Sequence, residues 1–518
     1  LPQAAAAIKT EPQSTKTAGP HLDSVLARLH AAHQSGDGEM LATLARQPHV
    51  DLETRSARVI LEMDRSPEAR IAGAPGVEAT TLESGQELRI VHAPPVAIRS
   101  DLAGAIAASG ATYETAHADS VQVLAPFASL QILAEIPGVR LVRLPFPAQP
   151  QALPDTQSFN GLAPLAGSQT TQAVSLTGAS AWHSAGHDGT GINVAIFDFG
   201  FTGYAGLQAS GDLPSTLYLY DWSASYSFSP DTPGYAHGAS CAEIAYDMAP
   251  DSTVHLFAFD TSTSLAAAVN HYINNVSGPK AASMSIGYVN AGPYDGTGII
   301  NDIVDNAQAA GIFWAQSAGN YRKQHWSGTA IQFGTDDFLD WSGVGAVDGY
   351  INTYGPEPGF GWNFPAGTEI SAFLEWDDWN ATRTGNQNHI DYDMGLYRLD
   401  GLNWTLVASS TRDQCTNPLT PVEAIEYTAV NTGFYALAVW RDDGAGFCPN
   451  PFGHWLNLFS FTGVYQPLTG ADYTFAYHNE CNSLSIPADG DSVVACLLYT
   501  SPSPRDRSAY LVCRLLLE

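Results

Sequence analysis

Apolar residues follow a helical period in the first segment of the chain and a strand-like period in the next. Between His21 and Arg46 the apolar residues recur at helical spacing, which predicts a helix. The stripe consists of Leu22, Val25, Leu26, Leu29 and Leu41. From residue 56 to 145, short runs with polar and apolar alternation predict strands, with one helical run among them. The predicted strands cover 57–63, 87–91, 120–124 and 139–144, and the helix covers 128–136.

Nearly continuous apolar runs alternate with helical patterns between residues 192 and 320. Such runs are typical of strands that are covered on both faces of a parallel sheet. The predicted strands cover 192–197, 281–287 and 312–316, and the predicted helices begin at 237, 265 and 300. This alternation of strand and helix predicts a parallel sheet built from βαβ units.

Helical periodicity disappears after Asn320. Eight of the eleven Trp lie between Trp326 and Trp455. Short strands separated by turn residues are predicted at 371–376, 395–399, 404–408, 424–427, 434–440 and 457–461. Regular spacing of short strands favours an all-β sandwich. One more strand is predicted over 485–495, after the sandwich.

Composition narrows the functional classes. The chain has 518 residues, of which 45% are hydrophobic and 14% charged, as in globular proteins of two to four domains. Lys and Arg number 22 against 52 Asp and Glu, a formal charge of -30. This balance excludes nucleic-acid binding through a general basic surface. No run of about 18 apolar residues occurs, so no membrane span is predicted.

Three motifs in the parallel-sheet region carry candidate chemistry. The strand Ile-Asn-Val-Ala-Ile-Phe-Asp ends in Asp198, and a helix of small residues begins at His237 in His-Gly-Ala-Ser-Cys-Ala-Glu-Ile-Ala. The third motif, Ser-Ala-Gly-Asn, follows a buried strand and ends at Asn320. Residues at the carboxyl ends of parallel strands meet at one edge of the sheet, where α/β enzymes place their sites. In this order the motifs resemble those of the subtilisin-like serine proteases, the subtilases.

The resemblance implies a role for each matched residue. Asp198 would hold the imidazole of His237, the general base, and the side chain of Asn320 would donate to the oxyanion. A hydroxyl nucleophile needs such a base, and the base needs a carboxylate that sets its tautomer. The strand that contains Ser285, Ile286 and Gly287 resembles the family strand that pairs with an extended substrate.

The resemblance also shows a gap. The nucleophilic serine of the family lies in Gly-Thr-Ser-x-Ala-x-Pro, and this motif does not occur in the 518 residues. Gly178-Ala-Ser-Ala lies before the Asp198 strand, and Ser317 matches no nucleophile. The chain is therefore predicted to be a fragment of a secreted serine endopeptidase that is inactive as written. The implied partners are a polypeptide substrate and the protein's own propeptide as inhibitor, and no cofactor is required.

The predicted fold is an α/β, parallel-sheet, subtilisin-like core with an inserted all-β sandwich and an N-terminal α+β domain that resembles a propeptide. The predicted segments are a disordered leader (1–20), the propeptide-like region (21–150), a linker (151–170), the first part of the core (171–325), the sandwich (326–483), the resumed core (484–495) and a tail (496–518). The tail contains Thr-Ser-Pro-Ser-Pro-Arg-Asp-Arg and resembles translated sequencing-adapter sequence, so it is expected not to be native.

Two other functions compete with this interpretation. Glu243 and Asp247 have the Glu-x-x-x-Asp spacing of the related sedolisins, which do not need His237 at the start of the helix. A non-catalytic protein is the second alternative, in which a degenerate protease core displays a Trp-rich sandwich that binds carbohydrate or a cell surface. Trp and Tyr stack on sugars, but they also form sandwich cores. A Gly-Thr-Ser motif in the gene beyond residue 495 would favour the protease.

Cysteines and carboxylates suggest structural supports. None of the six cysteines forms a C-x-x-C pair, so a structural zinc site of that type is not predicted. Three of them, Cys415, Cys448 and Cys481, are expected to supply a disulfide if the protein is exported. Carboxylates cluster at 336–337, 377–378 and 391–393, and calcium prefers such oxygen ligands, so structural calcium is a possible prediction from the sequence. No individual ligand is assigned.

Overall fold

The computed structural model describes residues 7–8, 21–45, 49–64, 67, 70–71, 76–81, 87–92, 96–146, 148–150, 170–223, 236–321, 323–332, 337–342, 349–355, 361–379, 389–412, 414–415, 420–442, 453–462, 475–479 and 482–496. The predicted leader, except residues 7–8, lies outside the described residues. The same holds for the predicted linker up to residue 169 and for the tail beyond Cys496.

Ten α-helices lie within the described residues. They are α1 (Ser24–Ser35), α2 (Gly38–Leu44), α3 (Ser100–Ala108), α4 (Leu130–Ala134), α5 (Gln172–Leu176), α6 (Ala179–Ser184), α7 (Tyr204–Ser210), α8 (His237–Met248), α9 (Ser262–Asn275) and α10 (Ile299–Ala309). A 3-10 turn over Phe127–Ser129 precedes α4.

The described strands number 27. They are β1 (Ala7–Ile8), β2 (Val50–Asp51), β3 (Ser56–Met63), β4 (Arg70–Ile71), β5 (Gly76–Thr81), β6 (Glu87–His92), β7 (Val96–Ala97), β8 (Thr112–His117), β9 (Ser120–Pro126), β10 (Val139–Arg143), β11 (Ala148–Pro150), β12 (Asn193–Asp198), β13 (Leu217–Asp221), β14 (Thr253–Ala258), β15 (Lys280–Met284), β16 (Ile286–Tyr288), β17 (Phe313–Ser317), β18 (His325–Thr329), β19 (Asn352–Thr353), β20 (Asn363–Phe364), β21 (Glu369–Trp376), β22 (Tyr392–Asp400), β23 (Asn403–Ser410), β24 (Val422–Thr428), β25 (Gly433–Arg441), β26 (Trp455–Thr462) and β27 (Val494–Cys496).

The chain is a mixed α/β protein with parallel and antiparallel sheets, and it divides into two compact units. The first unit comprises Leu1–Gly73, Pro95–Phe146 and Tyr321–Ser483. The second comprises Ala74–Pro94, Pro147–Asn320 and Leu484–Glu518. No helix among the described residues is long and apolar enough to cross a membrane.

An antiparallel sheet with helices on it forms the N-terminal part of the first unit. Its strand order is β10-β3-β9-β8, with β2 beside β3. Four residues of the predicted apolar stripe are buried in its core, and Val25 packs against it. The stripe does not form one helix: Leu22 precedes α1, Leu41 belongs to α2, and α1 ends at Gly36 in the left-handed conformation (φ 71°). Asp23 caps α1, where its carboxylate accepts from the Leu26 N–H at 2.8 Å.

The described residues of Tyr321–Ser483, the remainder of the first unit, contain strands and no helix. One antiparallel sheet has the order β18-β26-β21-β24, and the other contains β23-β22-β25. The six strands predicted between 371 and 461 are confirmed as β21 to β26. Side chains from both sheets share one core, which includes Trp376, Met394, Leu437 and Leu458. Alternation of apolar and polar residues along these strands is what places one face of each in that core.

An eight-stranded sheet forms the second unit. Its order is β27-β17-β15-β12-β14-β13-β6-β5, and every neighbouring pair is parallel except β6 with β5. Helices α8, α9 and α10 lie between successive strands in the chain, as the βαβ pattern predicted. The carboxyl ends of the seven parallel strands of this sheet therefore meet at one edge.

Two expectations about this sheet need correction. The strand predicted at 87–91 was assigned to the propeptide-like region, but β6 pairs with β13 in the eight-stranded sheet. The pattern of residues 87–91 predicts a strand but does not predict which strand pairs with it, because any exposed strand edge can pair with another strand. The strand predicted over 485–495 is confined to Val494–Cys496, and turns occupy most of the preceding residues.

Alternation along β12 separates two layers of packing. Ile196 faces the layer that contains Ala239 and Ala242 of α8. Phe197 faces the opposite layer, where its ring lies 5.2 Å from that of Trp314 and 6.0 Å from that of Tyr272. Because successive side chains on a strand point to opposite faces, Asp198 points to the same side as Ile196, toward α8.

Candidate active site

Buried Asp198 and partly exposed His237 form a pair at the carboxyl edge of the parallel sheet. Asp198 is the last residue of β12 and is only 1% exposed. Its Oδ2 lies 2.7 Å from His237 Nδ1, and its Oδ1 accepts from the Phe199 N–H at 2.8 Å. Both carboxylate oxygens are thus engaged, which fixes the plane of the carboxylate and the orientation of the imidazole.

The small residues of α8 explain how close the helix comes to β12. A Cβ built on Gly238 would lie 2.5 Å from the Gly200 carbonyl oxygen, 2.7 Å from Asp198 Cβ and 2.8 Å from Phe201 Cε1. Only a residue without a side chain allows this approach. The first turn of α8 therefore rests directly on the end of β12, and His237 begins the helix next to Asp198.

The environment of His237 favours its charged form. Burial alone would lower the pKa of His237, but the Asp198 carboxylate and the nearby Cys241 outweigh burial, so the pKa lies above the ordinary imidazole value. The side chain of His237 keeps 21% of its surface exposed, against 2% for Asp198. His237 Nε2 is therefore the atom through which this pair can act on a ligand or a substrate.

Cys241 lies one helical turn beyond His237 and is not among the predicted site residues. Its Sγ is 3.9 Å from His237 Nε2, and the thiol is not disulfide-bonded. Ligand atoms of Asp198, His237 and Cys241 all lie within 4.8 Å of one another. The i, i+4 spacing on a predicted helix was the signal that could have identified this contact.

Asn320 lies at the same edge of the sheet as Asp198. It follows the end of β17 by three residues and is half-buried. Since β12 and β17 are separated by β15, their ends are about 10 Å apart at the usual strand spacing. Gly319, in the left-handed region (φ 108°), turns the chain just before Asn320.

The strand predicted to bind substrate is already paired in this structure. After β15 the chain passes Ser285 and forms β16, which pairs antiparallel with β11. In this ladder Gln149 lies opposite Gly287 and Pro150 opposite Ile286. The segment that directly follows the N-terminal region in sequence therefore occupies the edge of this strand.

Glu243 and Asp247, the residues of the sedolisin alternative, do not join the pair. They lie on another face of α8, since six residues separate Glu243 from His237. Burial raises the pKa of Glu243, and the charges of Asp212 and Asp247 add to the effect. Asp247 Oδ2 accepts from the Thr171 N–H at 2.6 Å.

Several of the carboxylates considered for calcium contact other side chains. Asp377 Oδ1 lies 2.8 Å from His454 Nδ1, and Asp378 Oδ2 lies 3.2 Å from His389 Nδ1. Asp393 Oδ2 accepts from Trp440 Nε1 at 3.1 Å. The hypothesis of structural calcium stays a prediction.

Cys415, one of the three cysteines expected to supply a disulfide, is disulfide-bonded.

Comparisons with known proteins give weak similarities. No family model matches the chain, and no curated protein matches it. Among solved structures, the CspB protease of Clostridium perfringens is similar over 61% of this chain and 70% of its own, with 13% identity and a TM-score of 0.34. A Paenibacillus cycloisomaltooligosaccharide glucanotransferase covers 50% of this chain and 36% of its own, with 11% identity and a TM-score of 0.14.

Proposed function

We propose that this chain is the core of a secreted serine endopeptidase of the subtilisin-like type, in which Asp198 orients His237 as the general base. The observation that carries the proposal is the 2.7 Å contact between Asp198 Oδ2 and His237 Nδ1 at the carboxyl edge of a parallel sheet. Burial of the carboxylate strengthens this interaction, because solvent screens it less.

Asp198 would have two effects on catalysis. By accepting the Nδ1 proton it selects the tautomer in which Nε2 carries the lone pair. When Nε2 has taken a proton from the attacking hydroxyl, the carboxylate stabilises the imidazolium that results. The Asp198 carboxylate is also one of the causes that raise the pKa of His237 against the opposing effect of burial.

The nucleophile is the part that the chain does not supply. The proposal requires a serine in the family's Gly-Thr-Ser motif, close to His237 Nε2. The 518 residues carry no such motif. A triad acts as a unit, so the loss of its nucleophile removes nearly all of its rate enhancement. The proposal therefore includes the expectation that this chain alone does not hydrolyse peptides.

Asn320 would supply the side-chain donor for the oxyanion. Its place beyond β17 sets its backbone at the edge that also holds Asp198. An amide N–H donor at this point stabilises the negative charge that develops on the scissile carbonyl oxygen. No resident cofactor is needed for this chemistry.

Residues 285–287 would bind the peptide substrate as an added strand, with the N-terminal region as the built-in inhibitor. Main-chain pairing with an extended peptide supplies affinity in this mode of recognition. The pairing of β11 with β16 supports the proposal, because it shows that the edge of β16 accepts an extended segment. A substrate that pairs there would have to displace Ala148–Pro150.

The disulfide at Cys415 supports the proposed export from the cell. Stable disulfides form in oxidising compartments and are rare in reducing ones. A polypeptide substrate outside the cell fits this location.

The test compares the 518-residue chain with a longer product of the same gene that includes a Gly-Thr-Ser motif. Both are assayed for casein hydrolysis with and without a serine-directed covalent inhibitor. We expect inhibitor-sensitive hydrolysis by the longer protein only, and its loss in Asp198→Asn and His237→Ala variants. Ser240→Ala is the matched control, since Ser240 is exposed on the same helix.

Three results would refute parts of the proposal. Inhibitor-sensitive hydrolysis by the shorter chain would mean that it contains the nucleophile. Hydrolysis blocked by thiol reagents and not by serine reagents would assign that role to a cysteine. A folded but inactive longer protein that binds polysaccharide would favour the non-catalytic alternative.

A further inference from the structure

His237 and Cys241 present two metal-ligating atoms to each other on one face of α8. His237 Nε2 and Cys241 Sγ are 3.9 Å apart. In a tetrahedral zinc site, bond lengths of about 2.3 Å to sulfur and about 2.0 Å to nitrogen place these two ligand atoms about 3.5 Å apart. A contraction of a few tenths of an ångström, within reach of the two side-chain torsions, would therefore bring both atoms to bonding distance of one ion.

Asp198 already occupies the position of the outer partner in such a site. Metal-bound histidines almost always donate their other ring N–H to a carboxylate or a carbonyl, which fixes the ring and strengthens the ligand. Asp198 Oδ2 lies 2.7 Å from Nδ1, so Nε2 is the ring nitrogen left for the ion. The partial exposure of the His237 side chain gives a cation access to that atom.

We propose that His237 Nε2 and Cys241 Sγ bind a thiophilic divalent cation of the Zn²⁺ class, with water completing its coordination and Asp198 as the outer partner. Binding replaces the thiol proton of Cys241 and the Nε2 proton of charged His237, both of which are released to solvent, and it involves no change of oxidation state. The thiolate distinguishes this site from the oxygen-ligand sites that calcium takes.

The consequence for activity rests on the proposed peptidase function. A cation on Nε2 uses the lone pair that would accept the proton of the attacking hydroxyl. The bound form would therefore lack a general base, and removal of the metal would restore it. The site would make a peptidase of this type reversibly sensitive to zinc.

Metal binding is tested on the 518-residue chain, without recourse to activity. Co²⁺ replaces Zn²⁺ as the probe, since a thiolate ligand adds a charge-transfer absorption in the near ultraviolet. We expect this band in the chain, its displacement by added Zn²⁺, and its loss in Cys241→Ser and Cys241→Ala. Cys496→Ser is the matched control for a second reduced cysteine and should keep the band.

Asp198→Asn tests the outer partner. Loss of such a partner weakens metal affinity about 10-fold to 100-fold, and competition between Co²⁺ and Zn²⁺ measures it. Circular dichroism of each variant establishes that it is folded. Absence of the band from the chain, or its persistence in a folded Cys241→Ser variant, would overturn the proposal.

The second part uses the longer, serine-containing protein and compares its hydrolysis of casein with Zn²⁺ and after addition of a chelator. Reversible inhibition that Cys241→Ser weakens is the expected result. Hydrolysis that Zn²⁺ does not affect would overturn the metal switch and leave the peptidase proposal intact. A cobalt band in a chain whose longer form hydrolyses nothing would support the metal site and refute the peptidase.

Discussion

Gly238→Ala should break the Asp198–His237 pair although it replaces neither residue. The added methyl group would lie 2.5 Å from the Gly200 carbonyl oxygen and 2.7 Å from Asp198 Cβ. Since comfortable contacts between heavy atoms lie near 3.5 Å, the first turn of α8 must move away from β12 by about 1 Å. A displacement of that size carries the 2.7 Å contact past the range of a good hydrogen bond, about 3.2 Å.

The structure allows an estimate of the loss of stability. Overpacking in a rigid core costs about 1–3 kcal/mol. The buried carboxylate of Asp198 would also lose a partner, which costs about 1–3 kcal/mol more. We therefore expect a fall of about 2–6 kcal/mol in the unfolding free energy of the second unit. A misplacement of about 1 Å would also lower catalysis about 100-fold in the serine-containing protein.

Two measurements check this prediction. Denaturant unfolding gives the change in stability, and proton NMR follows the downfield resonance of the hydrogen-bonded His237 Nδ1–H. Gly104→Ala is the matched control, because a Cβ there meets nothing within 4 Å and the residue is exposed in the middle of α3. It should leave the resonance unchanged and stabilise the protein by about 0.5–1 kcal/mol.

An unchanged His237 resonance together with wild-type stability in Gly238→Ala would refute this reasoning. It would mean that α8 can move along β12 without loss, and that the close approach of the helix is not what holds the pair together. Loss of stability with the resonance intact would separate the packing role of Gly238 from the geometry of the site.

Three further predictions follow from other contacts. Glu62→Gln should lower the unfolding free energy by about 3–5 kcal/mol. Arg143 Nε lies 2.6 Å from Glu62 Oε1 in a buried ion pair, and the substitution leaves the charge of Arg143 without this partner. A change below about 1 kcal/mol in denaturant unfolding would contradict this prediction. Burial lowers the pKa of His255 to about 4, so the unfolded chain binds a proton that the folded one does not, and stability should fall by up to about 3 kcal/mol as pH decreases from about 6.5 to 4. His255→Gln should weaken this dependence in denaturant unfolding, and an identical pH profile would count against it. Asn320→Ala in the serine-containing protein should lower kcat about 10²-fold to 10³-fold with little change in KM, and a pure KM effect would exclude an oxyanion role.

Local pattern determined much of this protein. The six strands from β21 to β26 follow from alternation that continues for at least four residues, and β12 follows from an apolar run ending in Asp198. For β21 to β26 and for β12, the residues that specify the strand belong to the strand itself. The same holds for α8, whose small residues predict a helix that packs closely. Asp198 and His237 could therefore be chosen from the sequence, each as a residue at the end of a predictable element.

Partners in space were decided only by the tertiary structure. The pattern of residues 87–91 predicts a strand equally well in either unit, and only pairing with β13 places it in the parallel sheet. The strand predicted over 281–287 includes most of β16, but a three-residue strand such as β11 is too short to carry a pattern, so the sequence did not predict the ladder between them. The 2.7 Å contact of Asp198 with His237 depends on the close approach of α8 to β12 at Gly238. Periodicity tells which face of an element is buried, but the contact made by a given atom depends on how two elements cross, and residues far apart in sequence set that crossing.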